Sequence, residues 1–154
     1  MSDEALFIGF DHVAYATRDT DATLKVLAAL GFELKIYKQV LQKFNAYVTK
    51  VVSGTNLEHV VEIVEPISDP SAVSGLLREN EATIYHSCFR TNDFHRAQAL
   101  LKAQGAVTVS RPMKIPYPLT EQHERFLLSH MFHPHLGLLE ITGPVVNAAD
   151  GQGQ

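Results

Sequence analysis

The chain repeats itself at an interval of 74 residues, with one histidine and one glutamate in each copy. The segment His12–Asp19 (HVAYATRD) aligns without a gap on His86–Asp93 (HSCFRTND), and each copy ends in an apolar run around one acid, Glu62 or Glu140. A repeat built from one supersecondary unit usually packs against its twin. Two units related by a pseudo-two-fold axis would bring together two imidazoles and two carboxylates, which is the composition of a divalent metal site.

Both copies have the pattern of a strand, a helix and three further strands. In the first copy the strands are predicted at 10–17, 32–37, 46–52 and 57–64, and in the second at 83–91, 107–110, 124–132 and 137–142. The first helix is capped by Asp19 or Thr20 and the second by Asn92 or Asp93. A glycine follows each helix and is expected to end it.

The length of 154 residues suits one domain, or two half-domains that share a core. We predict one domain over 9–143, made of module one (9–66), a linking helix (69–79) and module two (83–143). Asp69 would cap the linking helix, with Pro70 at its first position. The segment 111–122 contains three prolines and is predicted to be a loop over the site, and 144–154 a mobile tail.

Composition excludes several classes of function. Hydrophobic residues make up 45% and charged residues 19%, as in ordinary globular proteins, and the net charge is −4 without a basic cluster. This argues against nucleic acid as the main partner. No apolar stretch approaches the roughly 20 residues that cross a bilayer. The start of the chain lacks the pattern of a secretory signal, and the single cysteine, Cys88, cannot form an internal disulfide, so a cytoplasmic location is expected.

The two glutamates are the residues that are hardest to explain as ordinary core. Glu62 lies in the run Val-Val-Glu-Ile-Val, where an unpaired buried charge would be very costly. With His12, His86 and Glu140 it would form a set suited to Zn, Ni, Co, Mn or Fe, with open positions for water or substrate. The alternative is that these are separate surface histidines and solvent-facing glutamates, but all four fall at matching places in the two copies.

Other residues of interest lie near these positions. Cys88 and Arg90 share the strand face of His86. Arg90 could hold a substrate carboxylate or phosphate, and an outward pair with an acid explains it equally well. Cys88 is mainly expected to be a small buried residue, with a direct role in substrate binding left open. Four histidines crowd 123–135, and we interpret most of them as loop or strand-surface residues.

The sequence resembles the vicinal oxygen chelate superfamily (glyoxalase/bleomycin resistance/dioxygenase) over residues 9–143, and within it the methylmalonyl-CoA epimerase family. The motifs that carry the resemblance are Asp-His-Val-Ala at 11–14, Val-Glu-Ile-Val-Glu-Pro at 61–66, Tyr-His at 85–86 with Arg-Thr-Asn-Asp at 90–93, and His-Pro at 133–134 before Gly-Leu-Leu-Glu at 137–140. The implied fold is α+β, with two βαβββ modules related by a pseudo-two-fold axis in an open barrel.

The resemblance implies that His12, Glu62, His86 and Glu140 bind one divalent ion, with Co, Ni, Zn or Mn favoured over Fe. The implied chemistry is proton abstraction next to a carbonyl through an enolate, in which Glu140 is both a ligand and the catalytic carboxylate. Substrates would be acyl thioesters or hemithioacetals, and the protein is expected to be a homodimer. Glu62 also matches the ligand set of bacterial glyoxalase I.

The chain departs from the epimerase pattern at two places. Residues 39–45, where the epimerases have a second catalytic glutamate, contain no acid, and a proline-containing segment at 112–118 replaces their Gly-rich loop. Three alternatives therefore stay open. One is a glyoxalase-type lyase, the second is an Fe(II) dioxygenase that uses His12, His86 and Glu140, and the third is a non-catalytic binding protein of the resistance type.

Overall fold

The computed structural model describes residues 6–56, 59–114 and 126–146. It is an α+β structure, dominated by strands with two α-helices of ten residues each in the part described. The chain divides into two compact units. The N-terminal unit is Asp11–Ser87, and the C-terminal unit combines Met1–Phe10 with Cys88–Gln154. None of the helices in the described ranges is both long and apolar enough to span a membrane.

The order of elements agrees with the predicted repeat. The first half of the chain contains β1 (Phe7–Thr17), α1 (Thr20–Ala29), β2 (Phe32–Leu41), a 3-10 turn (Gln42–Phe44), β3 (Ala46–Ser53) and β4 (Val60–Pro66). The second half contains β5 (Ala82–Thr91), α2 (Phe94–Ala103), β6 (Val107–Thr108), β7 (Met113–Lys114), β8 (Phe126–His133) and β9 (Gly137–Pro144). The strand–helix–strands order is confirmed, and β7 is an additional short strand that the sequence did not suggest.

The N-terminal unit packs one helix on one face of a four-stranded mixed sheet. Its strands lie in the order β2-β3-β4-β1, antiparallel except for the parallel pair β4–β1. Alternate side chains point to opposite faces of a strand. One face is covered by α1 through a cluster of Leu27, Val51, Val61 and Ile63. The opposite face is left to the polar residues of the candidate site.

Each half has the same strand-to-helix corner. Asp19 caps α1 by accepting a hydrogen bond from the Ala22 N–H at 3.0 Å, and Asp93 caps α2 by accepting one from the Arg96 N–H at 3.1 Å. The hydroxyl of a buried threonine two residues earlier accepts the N–H of each aspartate, also at 3.1 Å. Of the predicted alternatives, the aspartates are therefore the caps.

The C-terminal unit is built in the same way around α2. β8 pairs with β9, β6 and β7, all antiparallel. The face under α2 forms a core of buried residues: Phe94, Ala97, Ala106, Met131, Leu139 and Ile141. Since Met131 pairs with Leu139, the neighbouring pair His130 and Glu140 points to the other face.

The linking segment differs from the prediction. Residues 72–77 form turns rather than a helix. The backbone N–H of Ala72 donates to the Phe44 carbonyl at 3.0 Å, and the Asn45 amide donates to the carbonyls of Ser68 and Pro70, each at 2.9 Å. These bonds to the turn before β3 use backbone groups that a capped helix would need for itself, so the prediction of a helix over 69–79 is wrong.

Other boundaries shift by a few residues. The predicted loop at 111–122 contains β7, because Met113 and Lys114 pair with Leu128 and Leu127. Residues 115–122 of that loop lie outside the described residues, as does most of the predicted tail. Pro144 still belongs to β9.

Gly143 gives a test of the packing between β9 and β5. A Cβ added at this glycine would lie 2.7 Å from Thr91 Cγ2 and closer still to the Thr91 carbonyl oxygen. Because backbone cannot move aside cheaply, we expect Gly143→Ala to lower the free energy of unfolding by about 1–3 kcal/mol in urea titrations. Gly75→Ala is the matched control, since a Cβ there meets nothing within 4 Å. Equal stability of the two variants would contradict this packing.

Candidate functional site

The open face of the N-terminal sheet presents a histidine, a glutamate and a lysine on adjacent strands. In the register of the sheet, Glu62 on β4 lies beside Ala14 on β1 and beside Lys50 on β3. His12 is two residues before Ala14 and therefore faces the same side. The residues between them on this face are apolar, so the polar groups are concentrated in one place.

Three of the four predicted ligands come together within this unit. His12 Nε2 lies 3.3 Å from His86 Nε2 and 3.7 Å from Glu62 Oε2. All three residues are buried, with at most 4% of their surface exposed. An imidazole nitrogen with a second imidazole nitrogen and a carboxylate oxygen close to it, in a desolvated place, offers donor atoms that suit a divalent cation.

Asp11 fixes the orientation of the first histidine. The ring of His12 donates from Nδ1 to Asp11 Oδ2 at 2.7 Å. With Nδ1 carrying the hydrogen, Nε2 presents its lone pair toward His86 and Glu62. Metal-binding histidines are commonly held by a carboxylate in this way. In the sequence Asp11 is only part of a motif. Its hydrogen bond with the His12 ring is what assigns it the role of orienting that histidine.

Lys50 is a member of this cluster that the sequence analysis missed. Its Nζ lies 3.7 Å from Glu62 Oε2, and about a fifth of its side chain is exposed. The feature that could have identified Lys50 is the hairpin of β3 and β4, because the pairing register of these strands places Lys50 opposite Glu62. Since β4 starts at Val60 rather than at 57, the sequence alone did not fix that register. Glu62 thus has a cationic neighbour of its own within the protein.

A bulge in β2 determines which residue faces the cluster from the edge strand. Lys38 adopts a left-handed conformation (φ 45°), and the register changes between Ile36, which pairs with Lys50, and Gln39, which pairs with Val48. Lys38 N–H donates to Thr49 Oγ1 at 2.9 Å, which holds the bulge. The extra residue turns Gln39 to the face of Glu62. An amide therefore occupies the region of β2 where the sequence lacks an acid.

The same bulge is held by a second contact. Lys38 Nζ lies 3.0 Å from Glu65 Oε2, and this hydrogen bond raises the pKa of the Lys38 amine. The Glu65 oxygen also accepts the Thr20 hydroxyl at 2.5 Å. These contacts connect β2, β4 and the start of α1, so the bulge is a fixed part of the unit.

The fourth predicted ligand, Glu140, lies in the C-terminal unit with a buried partner. His130 Nε2 is 2.9 Å from Glu140 Oε2, and the two residues are 5% and 8% exposed. On its other side His130 Nδ1 is 3.2 Å from Ser110 Oγ. Most of the four histidines at 123–135 were predicted to be loop or strand-surface residues, and His130 is an exception to that prediction because it is buried. Counting back from the turn at 134–136, which pairs His133 with Gly137, would have placed His130 opposite Glu140.

The two predicted substrate-binding residues lie in the C-terminal unit. Cys88, the single cysteine of the sequence, is fully buried, in line with its expected role as a small core residue. Arg90 is partly exposed, and its guanidinium donates to the Phe10 carbonyl at 3.4 Å while it lies against Gly9. This contact fixes the head of the arginine on the first strand of its own unit.

Comparison with known proteins relates this architecture to a large superfamily. Its sequence model, described as the glyoxalase/bleomycin resistance protein/dioxygenase superfamily, matches residues 11–119. A search of curated proteins gives no significant match.

Among solved structures, methylmalonyl-CoA epimerase from Mycobacterium tuberculosis is similar at 18% identity and a TM-score of 0.73, over 98% of this chain and 97% of that one. A Streptomyces coelicolor methylmalonyl-CoA epimerase variant in complex with 2-nitronate-propionyl-CoA has 21% identity and a TM-score of 0.69, over 91% and 99% of the chains. A methylmalonyl-CoA epimerase in complex with methylmalonyl-CoA and NH4+ has 22% identity and a TM-score of 0.69, over 91% and 96%.

These likenesses show a shared fold, which is the βαβββ vicinal oxygen chelate fold that the family resemblance implied. The family model covers well over half of the chain, including His12, Glu62 and His86. The chain belongs to the glyoxalase/bleomycin resistance protein/dioxygenase superfamily.

Proposed function

We propose that this protein is a metal-dependent isomerase or lyase that abstracts a proton next to a carbonyl, in the manner of methylmalonyl-CoA epimerase. The observation that carries the proposal is the buried cluster in which His12 Nε2 faces both His86 Nε2 and Glu62 Oε2 within 3.7 Å. Its support from relatives is the epimerase fold of the similar structures, two of which hold acyl-CoA compounds.

The donor atoms fit a divalent metal. His12 is oriented by Asp11, so its Nε2 lone pair is available, and His86 and Glu62 supply a second nitrogen and an oxygen. The family resemblance adds Glu140 as the fourth ligand. The set favours Co, Ni, Zn or Mn over Fe. When bound, such an ion would polarise a carbonyl oxygen and stabilise negative charge on it.

The residues of the chain have distinct tasks in this proposal. Glu140 takes the proton from the carbon next to the carbonyl and returns it. Arg90, whose guanidinium donates to the Phe10 carbonyl, binds the anionic part of the substrate, and Cys88, on the same face of β5, is the second substrate-binding residue. Gln39 cannot accept a proton. With Glu140 as the one carboxylate, the proton returns from the side on which it left, either to the same carbon, which gives exchange with solvent, or to a neighbouring carbon, as in a glyoxalase-type lyase. Inversion of the carbon, as in the two-acid epimerases, would need a second proton donor on the opposite side.

Proton exchange in heavy water tests the reaction directly. We expect the protein to exchange the α-proton of methylmalonyl-CoA or of another acyl thioester for deuterium, with loss of exchange after chelation and recovery with Co²⁺. A panel that includes glutathione hemithioacetals would reveal a glyoxalase-type lyase instead. NMR of the α-carbon position gives the rate, and no exchange with any thioester or hemithioacetal would refute the enzymatic proposal.

Metal analysis tests the ligands. We expect purified protein to hold close to one divalent ion per chain, and His12→Ala, His86→Ala and Glu140→Ala each to lose most of it, because each removes one of four donor atoms. His95→Ala is the control, since His95 is exposed on α2. Thermal unfolding shows whether each variant is still folded. Metal content that survives the three ligand substitutions would locate the ion elsewhere.

A non-catalytic binding protein is the second candidate, and Lys50 favours it. Because Lys50 Nζ lies 3.7 Å from Glu62 Oε2, the carboxylate already has a cation close by. A lysine at this place competes with a divalent ion for the same oxygen. Together with the amide of Gln39 in place of an acid, this would suit a pocket that binds a small molecule without turning it over.

Substitution of Lys50 measures this competition. The pair is partly exposed, so we assign it about 1 kcal/mol, which is about fivefold in affinity. We expect Lys50→Gln to bind Co²⁺ about fivefold more tightly than the wild type, measured by isothermal titration calorimetry. Lys50→Arg keeps the charge and is the matched control. If Lys50→Gln binds the ion no more tightly than Lys50→Arg does, Lys50 does not compete for Glu62.

We further propose a cytoplasmic homodimer whose partner is a small molecule rather than nucleic acid or membrane. The single buried cysteine supports the cytoplasmic location, and the net charge of −4 argues against nucleic acid as a partner. The homodimer rests on the family resemblance. Sedimentation velocity would give the mass of the assembly, and a monomer at micromolar concentration would contradict the dimer.

A further inference from the structure

His130 is buried on the same face of its sheet as Glu140 and lies directly opposite it. β8 and β9 pair His130 with Glu140, while the neighbouring pairs on the other face, Met131–Leu139 and Ser129–Ile141, contribute to the side covered by α2. A buried imidazole with 5% exposure needs polar partners, because burial of an unbonded polar group costs free energy. Its position is therefore tied to the carboxylate across the strand pair.

The separation of the two groups requires a proton between them. Nε2 of His130 and Oε2 of Glu140 are 2.9 Å apart. Two lone pairs at that distance would repel, so either the imidazole or the carboxyl must present a hydrogen to the other. This hydrogen is what holds the two groups at their separation of 2.9 Å.

The far side of the imidazole is fixed by Ser110. The Ser110 hydroxyl oxygen accepts the backbone N–H of His130 at 2.9 Å and lies 3.2 Å from Nδ1 of the ring. Since that oxygen already accepts one hydrogen, its own hydrogen can go to Nδ1, which leaves the hydrogen of a neutral ring on Nε2. Ser110 is itself held, because its carbonyl accepts the Ser129 hydroxyl at 2.7 Å.

We propose that His130 is a positioning residue for Glu140, fixed by Ser110, and that it sets the direction in which the carboxylate presents its other oxygen. The inference rests on the proposed function, in which Glu140 is a metal ligand and the proton-transferring group. His130 acts through Glu140 and touches neither substrate nor metal. Partners behind a metal ligand commonly change metal affinity or activity about 10–100-fold when they are removed.

Two substitutions separate this role from simple packing. His130→Phe keeps a ring of similar size but has no donor, whereas His130→Gln keeps an N–H that can reach the carboxylate. We expect His130→Phe to weaken Co²⁺ binding and to lower kcat for α-proton exchange on methylmalonyl-CoA, each about 10–100-fold. KM should change less than about twofold. His130→Gln should recover most of both losses.

Two further variants complete the design. Ser110→Ala should give a smaller loss than His130→Phe, because the ring keeps its contact with Glu140 and loses only its rear partner. His133→Gln is the matched control, since His133 is at the end of the same strand and contacts the Gln104 carbonyl at 3.0 Å. It should behave like the wild type. Circular dichroism melts confirm that each variant is folded.

The outcomes distinguish failure of the proposed function from failure of the positioning role of His130 alone. If wild-type protein neither binds Co²⁺ nor exchanges protons, the proposed function fails, and this inference falls with it. If the wild type does either, but His130→Phe matches it in that property, the positioning role alone is overturned. If His130→Gln loses as much as His130→Phe, the hydrogen-bond donor is not what matters, and the role is again overturned. The cobalt measurement decides even if methylmalonyl-CoA is not the substrate.

Discussion

The structure depends on how it accommodates two carboxylates inside apolar strands. A buried charge without partners would destabilise the fold by several kcal/mol. Glu62 is placed between His12 and Lys50, and Glu140 is placed against His130. In both units one of these neighbours is directly opposite the carboxylate on the adjacent strand, Lys50 for Glu62 and His130 for Glu140, so the pairing register decides whether the charge is tolerated. The polar face and the apolar, helix-covered face of each sheet follow from this placement.

Much of this arrangement could be predicted from the repeat. The aligned His12 and His86 predicted the first strand of each half. The aspartate before each helix and the glycine after it predicted both helices to within a few residues. The superfamily assignment is confirmed by the family model. What the sequence could not give is register. The partner of Glu140 depends on how many residues form the turn before Gly137, and the partner of Glu62 depends on where β4 begins. The prediction of a linking helix was wrong because backbone groups of that segment form hydrogen bonds to the turn before β3 instead.

This protein shares its fold with the epimerases, and its own chemistry depends on the side chains at the candidate site. At 18–22% identity, the similar structures share a scaffold that hosts different reactions. Two features of this chain point away from a direct copy of the epimerase site. The bulge at Lys38 turns an amide, Gln39, to the polar face, and Lys50 places a positive charge beside Glu62. Both lie in the N-terminal unit, where proton transfer by a second acid would otherwise be expected.

The strand-to-helix corners have a consequence for how such a chain can change. In each half a threonine and an aspartate make the same hydrogen bonds, at distances that agree within 0.1 Å. The corner is satisfied locally and needs nothing from the histidine that precedes it by a few residues. Substitutions that change the chemistry on the open face of either strand can therefore leave the turn into the helix intact.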